Sequence, residues 1–465
     1  MEWKNLLSKH HFKEEQENDV IYRNDYDTII CSTLFRRLQD KAQVFPLDDD
    51  DYVRTRLTHS LEVSAIGKKL GEYVFKKIRK AKIDSWFDEH TEKSFSDVLL
   101  CAGLVHDIGN PPFGHFGEYA IREWFQKNLS DLSLGNRKIT DILTSWQLHD
   151  LYFFEGNAQS LRLLSKTPYL GRMNGFNLSY EVLGTIMKYP ISSEDLVSNN
   201  PNQFKKMGYN FSERNLFEDI NRSLGMHGNR HPLSYLLEAA DDIAYRTSDL
   251  EDAMVKKVIS FQQIIDVFRQ YKEKLDTKEN GAEAVRNCMS KLDDMYQEEV
   301  AKNGRKAELT SVQRWNQYAQ GVMIKDVGDA FVKNYDKIMR GTYKEDLFEH
   351  TVSGHLIRAI SELSEKLIYT SSVKTRTELF GRRVIDSLLS QFMPAAVVYD
   401  TGTPITFIEE RTIDTVSEFY KSMYHSEAQG KDEWEKLYLR ILMITDYISG
   451  MTDNYAKRLY QELFV

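Results

Sequence analysis

The residues whose types and spacing could carry chemistry gather first in one stretch, Leu104-Val105-His106-Asp107-Ile108-Gly109-Asn110-Pro111-Pro112-Phe113-Gly114-His115-Phe116-Gly117-Glu118. Its His-Asp pair ends a nearly unbroken apolar run, 98 to 105. Two ionisable groups at such a place cost free energy unless a metal or hydrogen bonds satisfy them. Beyond the break made by Gly, Asn and two prolines, His115 and Glu118 stand three apart, as neighbours on one helix face would. A carboxylate there can orient an imidazole and raise its pKa for general-acid work; spacing alone suits a local surface pair equally well.

Two more residues of ligand type come from distant segments, His59 and Asp241. Together His59, His106, Asp107 and Asp241 offer two imidazoles and two carboxylates, a donor set for a divalent metal of intermediate hardness (Mn, Fe, Co or Zn) with positions left for water and substrate. Each histidine alone reads as packed or superficial, and spacing does not prove that the four converge. Asp241, Tyr245 and Asp249 follow one another at i, i+4 and i+8. At ~100° per residue each lies ~40° further round the helix than the last, so the three share a stripe. That stripe could hold a metal at one end and a hydroxylated ligand at the other. A solvated acidic face is the alternative, but Leu236, Leu237, Ala239, Ala240, Ile243 and Ala244 around it indicate burial.

Arg36, Arg37, Arg54 and Arg56, with Lys188 further on, could cradle an anionic substrate, since guanidinium binds phosphate through paired hydrogen bonds. Solvated arginine accounts for one or two of them. Gly109 and Gly114 are followed by His-Phe, not by Lys and Ser or Thr, so this is no Walker-type loop. Neither a dinucleotide fingerprint nor a His-Glu-x-x-His motif is present, which leaves phosphate chemistry to metal and side chains.

The elements that must position these residues read as helices, and only 9 prolines interrupt 465 residues. Ile30, Leu34 and Leu38 recur at helical spacing, ahead of a stop at Phe45-Pro46. Thr58 or Ser60 would cap the next helix, whose apolar series is Leu61, Ala65, Ile66, Leu70 and Val74. Further helices are expected up to His106, from near Pro112, through 160–164, over 180–187, from His231-Pro232 to about 254, and over 433–464. The charged segment 255–325 reads as long surface or interface helices. The alternation over 397–409, around Asp400-Thr-Gly-Thr-Pro404, predicts a hairpin. The expected architecture is therefore mainly α, with a surface arm over 1–25, a catalytic core over 26–270, and a helical C-terminal region over 271–465 that carries the small hairpin.

A formal net charge of -9 argues against a surface covered in nucleic-acid-binding charge, though not against a local basic groove. Three scattered cysteines fit a reducing compartment and exclude a four-cysteine zinc site. Without a signal-type N-terminus or a window approaching the ~18 apolar residues of a membrane span, a cytoplasmic location is expected.

As a set, these segments resemble the HD-domain deoxynucleoside triphosphate triphosphohydrolases, most closely the bacterial dGTPase branch. The blocks that carry the resemblance are Phe35-Arg-Arg-Leu-Gln-Asp-Lys-Ala-Gln-Val-Phe45, Arg54-Thr-Arg-Leu-Thr-His-Ser-Leu-Glu-Val63, His106 through Glu118, Phe154-Glu-Gly-Asn-Ala-Gln159, Glu238-Ala-Ala-Asp-Asp-Ile-Ala-Tyr245 with Asp249, and Asp446-Tyr-Ile-Ser-Gly-Met-Thr-Asp453. The resemblance implies an HD-type helical enzyme that cleaves a dNTP, dGTP in particular, to the deoxynucleoside and tripolyphosphate with a divalent metal (Mn, Mg, Fe, Co or Zn). It implies that His59, His106, Asp107 and Asp241 are metal ligands, that His115 is catalytic and that Glu118 supports it. Tyr245 would pack against C2′ and disfavour a ribose hydroxyl, and Asp249 would accept from the 3′-OH. Gln43 and Arg56 would lie near sugar and phosphates, and Lys188 would bind phosphate. Ala42 stands where Thr is commoner in the family. The family commonly forms hexamers and is often regulated by a second nucleotide or by single-stranded DNA; Arg440 could reach the site from the C-terminal region. The rival readings are an HD-type hydrolase of nucleoside monophosphates or cyclic nucleotides, and a nucleotide or single-strand sensor with a vestigial site.

Overall fold

The apolar periodicities become helices almost everywhere, and their positions are set by caps. In the computed structural model, which describes residues 1–9, 21–47, 52–169, 175–201, 203–275, 281–302 and 306–465, α1 (Arg56–Ala81) opens on a capping box in which Thr55 and Thr58 satisfy each other's backbone N–H groups. The cap is therefore Thr55, not Thr58 or Ser60, and His59 falls at the end of the first turn. The inward face is Val63, Ile66, Leu70 and Val74, while Leu61 turns outward. The segment expected as one helix from residue 26 is divided by Ser32, whose hydroxyl caps Thr33–Arg37 and ends Ile21–Cys31 before it.

The helix α2 (Glu92–Val105) lies against α1. A Cβ at Gly103 would stand 2.6 Å from the Ser64 Cα, so only glycine lets the two backbones approach this closely. That closeness puts the start of α1 and the end of α2, hence His59 and His106, side by side. After the turn at 107–113 come α3 (Gly114–Asn128), α4 (Gly156–Lys166), α5 (Tyr180–Ile186) and α6 (Pro232–Val255), the last with proline in its first turn. Of the charged helices beyond 255, α7 (Ala307–Lys333) packs on both α1 and α6 and buries Trp315, Met323, Val327 and Phe331, so one of its faces is core, not surface. The C-terminal helices are α8 (Ser372–Val398), α9 (Glu433–Ser449) and α10 (Asp453–Phe464).

Buried apolar side chains form two clusters. One, from Trp3 to Ile368, joins α1, α2, α5, α6 and α7; the other joins α3 to α8 and α9. Both cross residue 270, where the sequence suggested a division. The first nine residues are no free arm: Trp3 is buried against Trp86, Phe87 and Phe95, and its Nε1–H donates to the Tyr335 hydroxyl at 2.8 Å. Residues 10–20 of the expected arm lie outside the described residues.

The expected hairpin at 397–409 is helix, turn and helix instead. α8 runs to Val398, Asp400 and Gly402 turn the chain with left-handed φ of 55° and 72°, and Thr406 with Glu409 forms a capping box for Phe407–Asp414. The Thr-x-x-Glu signal outweighed apolar alternation, and Phe407 and Ile408 are 65% and 64% exposed, as no sheet-core residue would be. A two-stranded antiparallel hairpin does exist, but between Ser133–Leu134 and Arg137–Lys138. Among the described residues no helix is long and apolar enough to cross a membrane.

Candidate active site

The ends of α1 and α2 and the middle of α6 converge. His59 Nε2 lies 3.0 Å from Asp241 Oδ1, and His106 Nε2 lies 3.6 Å from the same oxygen and 3.6 Å from Asp107 Oδ1. His59, His106 and Asp241 each offer a ligand atom within 4.8 Å of the others. The His106 Nδ1 sits 2.8 Å from the Gly103 carbonyl, which fixes Nδ1 as the protonated nitrogen and turns Nε2 towards the carboxylates. That Nε2 is buried and has no hydrogen-bond partner. A divalent cation fits this donor set: a buried ring nitrogen without a hydrogen-bond partner, aimed at two acids, is the arrangement a metal ligand needs.

Asp107 stands at the edge of this group. Arg56 donates to its Oδ2 at 2.6 Å and the Asn110 amide to its Oδ1, so only part of the carboxylate faces His106. Burial opposes its ionisation, but Arg56 and the two imidazoles outweigh it and hold Asp107 down to about 2. Burial likewise disfavours a charged His106, yet Asp107 and Asp241 raise it to about 9. The two shifts are reciprocal: the carboxylates favour positive charge at His106, and Arg56 with the imidazoles favours negative charge at Asp107.

On α3, His115 is 79% exposed while Glu118 is almost wholly buried, and His115 Nδ1 lies 3.2 Å from Glu118 Oε2. The other oxygen of Glu118 accepts the Gly156 N–H at 2.9 Å, and Arg122 approaches Oε2 at 3.6 Å. Burial would raise the Glu118 pKa, but the hydrogen bond from His115 and its charge, with Lys206 and Arg122, hold it at about 2. An anionic Glu118 thus anchors one imidazole nitrogen and leaves Nε2 of His115 on the cavity side.

One cavity of about 690 Å³ contains the eleven residues expected as metal ligands, catalytic pair or substrate contacts: Gln43, Arg56, His59, His106, Asp107, His115, Glu118, Lys188, Asp241, Tyr245 and Asp249. Gln43 lines it with Oε1 buried and unpaired, and Lys188 is paired at 2.6 Å with Glu238, which also holds Arg230 at 2.7 Å. Asp249 accepts from the Tyr369 hydroxyl at 2.7 Å through Oδ2, while its Oδ1 is buried without a partner. Burial pushes Asp249 up to about 7, against the hydrogen bond from Tyr369.

The structure also adds residues that no motif announced. Tyr369 follows a π-helical turn, Ser364–Ile368, a device frequent at functional sites. Lys374 and Glu378, one turn apart on α8 and paired at 2.6 Å, line the same cavity, as do Glu155 and Lys206, paired at 3.0 Å. Lys374 and Glu378 had only their i, i+4 spacing as a sequence signal and Lys206 had none, while Glu155 stands in the 154–159 block with no role assigned to it. Of the four arginines considered as a cradle, only Arg56 reaches the cavity. Arg54 is bound by Glu62, Glu251 and Asp252; Arg37 donates to the Tyr420 hydroxyl and the Gly450 carbonyl, and Arg36 is exposed beside it. Arg440 does not approach the site either: it is buried on α9 and paired with Glu433 at 2.7 Å. Asp446 on the same helix instead binds Arg162 of α4.

The chain is similar over most of its length to proteins of one known family. The HD domain family matches residues 56–153, the segment that supplies His59, His106, Asp107, His115 and Glu118. A deoxyguanosinetriphosphate triphosphohydrolase-like protein of Listeria innocua is 40% identical over 100% of this chain and 99% of its own. One of the same description from Synechocystis is 32% identical over 100% of this chain and 99% of its own. A deoxyguanosinetriphosphate triphosphohydrolase of Yersinia pestis is 30% identical over 97% of this chain and 95% of its own.

Proposed function

The chain belongs to the HD-domain deoxyguanosinetriphosphate triphosphohydrolase family, and we propose that it hydrolyses deoxynucleoside triphosphates, dGTP among them, to the deoxynucleoside and tripolyphosphate. The observation that supports this most is the content of the single cavity: a metal-type cluster, the His115–Glu118 pair, and Tyr245 with Asp249, all within one wall.

In this reading His59, His106, Asp107 and Asp241 hold a divalent cation, which supplies positive charge to polarise the phosphoryl group and activate the attacking water. The water oxygen bonds to the α-phosphorus and gives up a proton to solvent, while the bond to the 5′ oxygen breaks. With Nδ1 tied to Glu118, His115 delivers the proton on Nε2 to that departing oxygen. Arg56 and Lys188 offset charge on the phosphates. Tyr245 packs where a 2′-hydroxyl would project, and the unpaired Oδ1 of Asp249 accepts from the 3′-OH. A homo-oligomer, and control by a second nucleotide or by single-stranded DNA, belong to the same proposal; solution mass and turnover with and without each effector test them.

The deciding experiment is incubation of the purified protein with each dNTP and Mn, separating tripolyphosphate from phosphate as product, beside His115→Ala. Tripolyphosphate from wild type and its loss in the variant are expected. Release of phosphate alone, or equal turnover by both proteins, overturns the reading.

A further inference from the structure

The block 446–453 and Lys41 have no part in the chemistry above, yet both are built against the catalytic turn. Asp453, at the first residue of α10, is 2% exposed and spends both oxygens on backbone N–H groups: Oδ1 accepts from Phe113 at 2.9 Å and Oδ2 from Ala42 at 3.0 Å. Lys41, also 2% exposed, donates to the carbonyl of Asn110 at 2.5 Å and to that of Ser449 at 2.9 Å. The end of α9 and the start of α10 are thereby tied to both sides of the cavity mouth, because Ala42 precedes Gln43 and the 110–113 turn leads into His115.

That turn needs holding. Phe113 has φ 65° and ψ 15°, a left-handed conformation disfavoured for a residue with a side chain, and Gly114 after it has φ 61°. Such strain persists only where surrounding structure over-determines it, and it concentrates at functional sites. The Phe113 N–H is the group Asp453 binds, and the buried Phe113 ring is packed against Gly381 of α8. The left-handed pair aims the first turn of α3, and so the direction from which His115 enters the cavity.

We propose that Asp453 and Lys41 are positioning residues for His115: a buried clasp, supplied by the C-terminal helices, that holds the Phe113–Gly114 turn in its strained form. The proposal rests on the reading of His115 as the proton donor. Asp453→Asn and Lys41→Met in the full-length protein test it, with two readouts. Amide hydrogen exchange of the nucleotide-free protein should quicken over 110–118 and stay at wild-type rates in α1 and α6. Turnover of dGTP should lose about 10–100-fold in kcat, the range of partners that orient a reacting group, with KM little changed.

Wild-type exchange over 110–118 in both variants overturns the clasp. So does a loss of kcat that merely tracks a smaller folded fraction, since that marks a structural role without positioning. If the wild type releases no tripolyphosphate, the functional reading fails on its own, and the exchange rates over 110–118 still decide whether the clasp holds the turn.

Discussion

A single methyl group at Gly156 should disable the site from behind. Gly156 is the first residue of α4, its φ is not left-handed, and alanine is allowed there on backbone grounds. A Cβ at this position would lie 2.6 Å from Glu118 Oε1 and 2.6 Å from Asn110 Oδ1, where ordinary contact begins at 3.4 Å. Each atom must then give way by about 0.8 Å. Neither can do so freely: both side chains are buried, Glu118 holds His115, and Asn110 holds Asp107. Misplacement by ~1 Å costs on the order of 10²-fold in rate, or ~2.7 kcal/mol of barrier, so kcat for Gly156→Ala should fall by about that factor. Overpacking adds ~1–3 kcal/mol of lost stability, which a thermal melt run beside the tripolyphosphate assay will separate from the catalytic loss. Gly321→Ala is the control: Gly321 lies exposed within α7 with nothing near its would-be Cβ, so alanine there should stabilise by ~0.5–1 kcal/mol and leave kcat alone. A Gly156→Ala enzyme of wild-type kcat would refute the coupling of α4 to the His115–Glu118 pair.

Other perturbations read the remaining parts of the cavity. Because burial pushes Asp249 up to about 7, it is neutral below that pH and anionic above it, and only the anion offers both oxygens as acceptors. KM for a dNTP should therefore fall as pH rises through about 7. Asp242 in the same cavity is likewise pushed up to about 7, so Asp249→Asn should flatten the profile more than Asp242→Asn does, and a slope unchanged from wild type in Asp249→Asn rules Asp249 out. Outer partners of metal ligands are worth ~10–100-fold in affinity, so removing a ligand with Asp241→Asn should weaken Mn binding at least that much by calorimetry; unchanged binding would dismiss the cluster as a metal site. Arg162 is buried among Asp446, Glu213 and Glu427 at 2.8 to 3.0 Å, and Arg162→Met leaves Asp446 and Glu213 without an ion-pair partner, while Glu427 keeps Lys166 at 3.1 Å. Denaturant unfolding should show a loss of ~3–5 kcal/mol at neutral pH, smaller in acid where the stranded carboxyls take up protons; a loss independent of pH would point elsewhere.

The site was legible where the chemistry was local or periodic. The stripe Asp241, Tyr245, Asp249 needed only helical geometry, and the apolar run before His106 announced that an ionisable pair would be buried. Convergence of α1, α2 and α6 was not derivable from spacing; it depends on contacts such as Gly103 against Ser64. Arg37 and Arg54 misled because their partners, Tyr420 and Asp252, are remote in sequence, whereas Arg440 is held by Glu433 from two turns earlier on its own helix. The C-terminal hairpin failed for a different reason, since alternation over 397–409 competes with the capping box of Thr406 and Glu409, and the box decided. Tyr369, Lys374 and Glu378 carry no motif at all and reach the cavity from the end of the π-helical turn and the first turns of α8.

The pairing of every cation in the cavity also governs how a polyanion gets in. Arg56, Lys188, Lys206 and Lys374 are each bound to Asp107, Glu238, Glu155 or Glu378, and the described lining holds eight carboxylates against these four. A bare triphosphate would meet a chamber of its own sign, and such focused fields in a low-dielectric cleft repel strongly. If the substrate is a nucleotide triphosphate, as proposed, its entry calls for shared neutralisation, and its apparent affinity should climb with divalent metal concentration more steeply than occupancy of one site explains. Free anions meet the same excess of carboxylates, so inorganic phosphate without a divalent cation should compete poorly for the cavity.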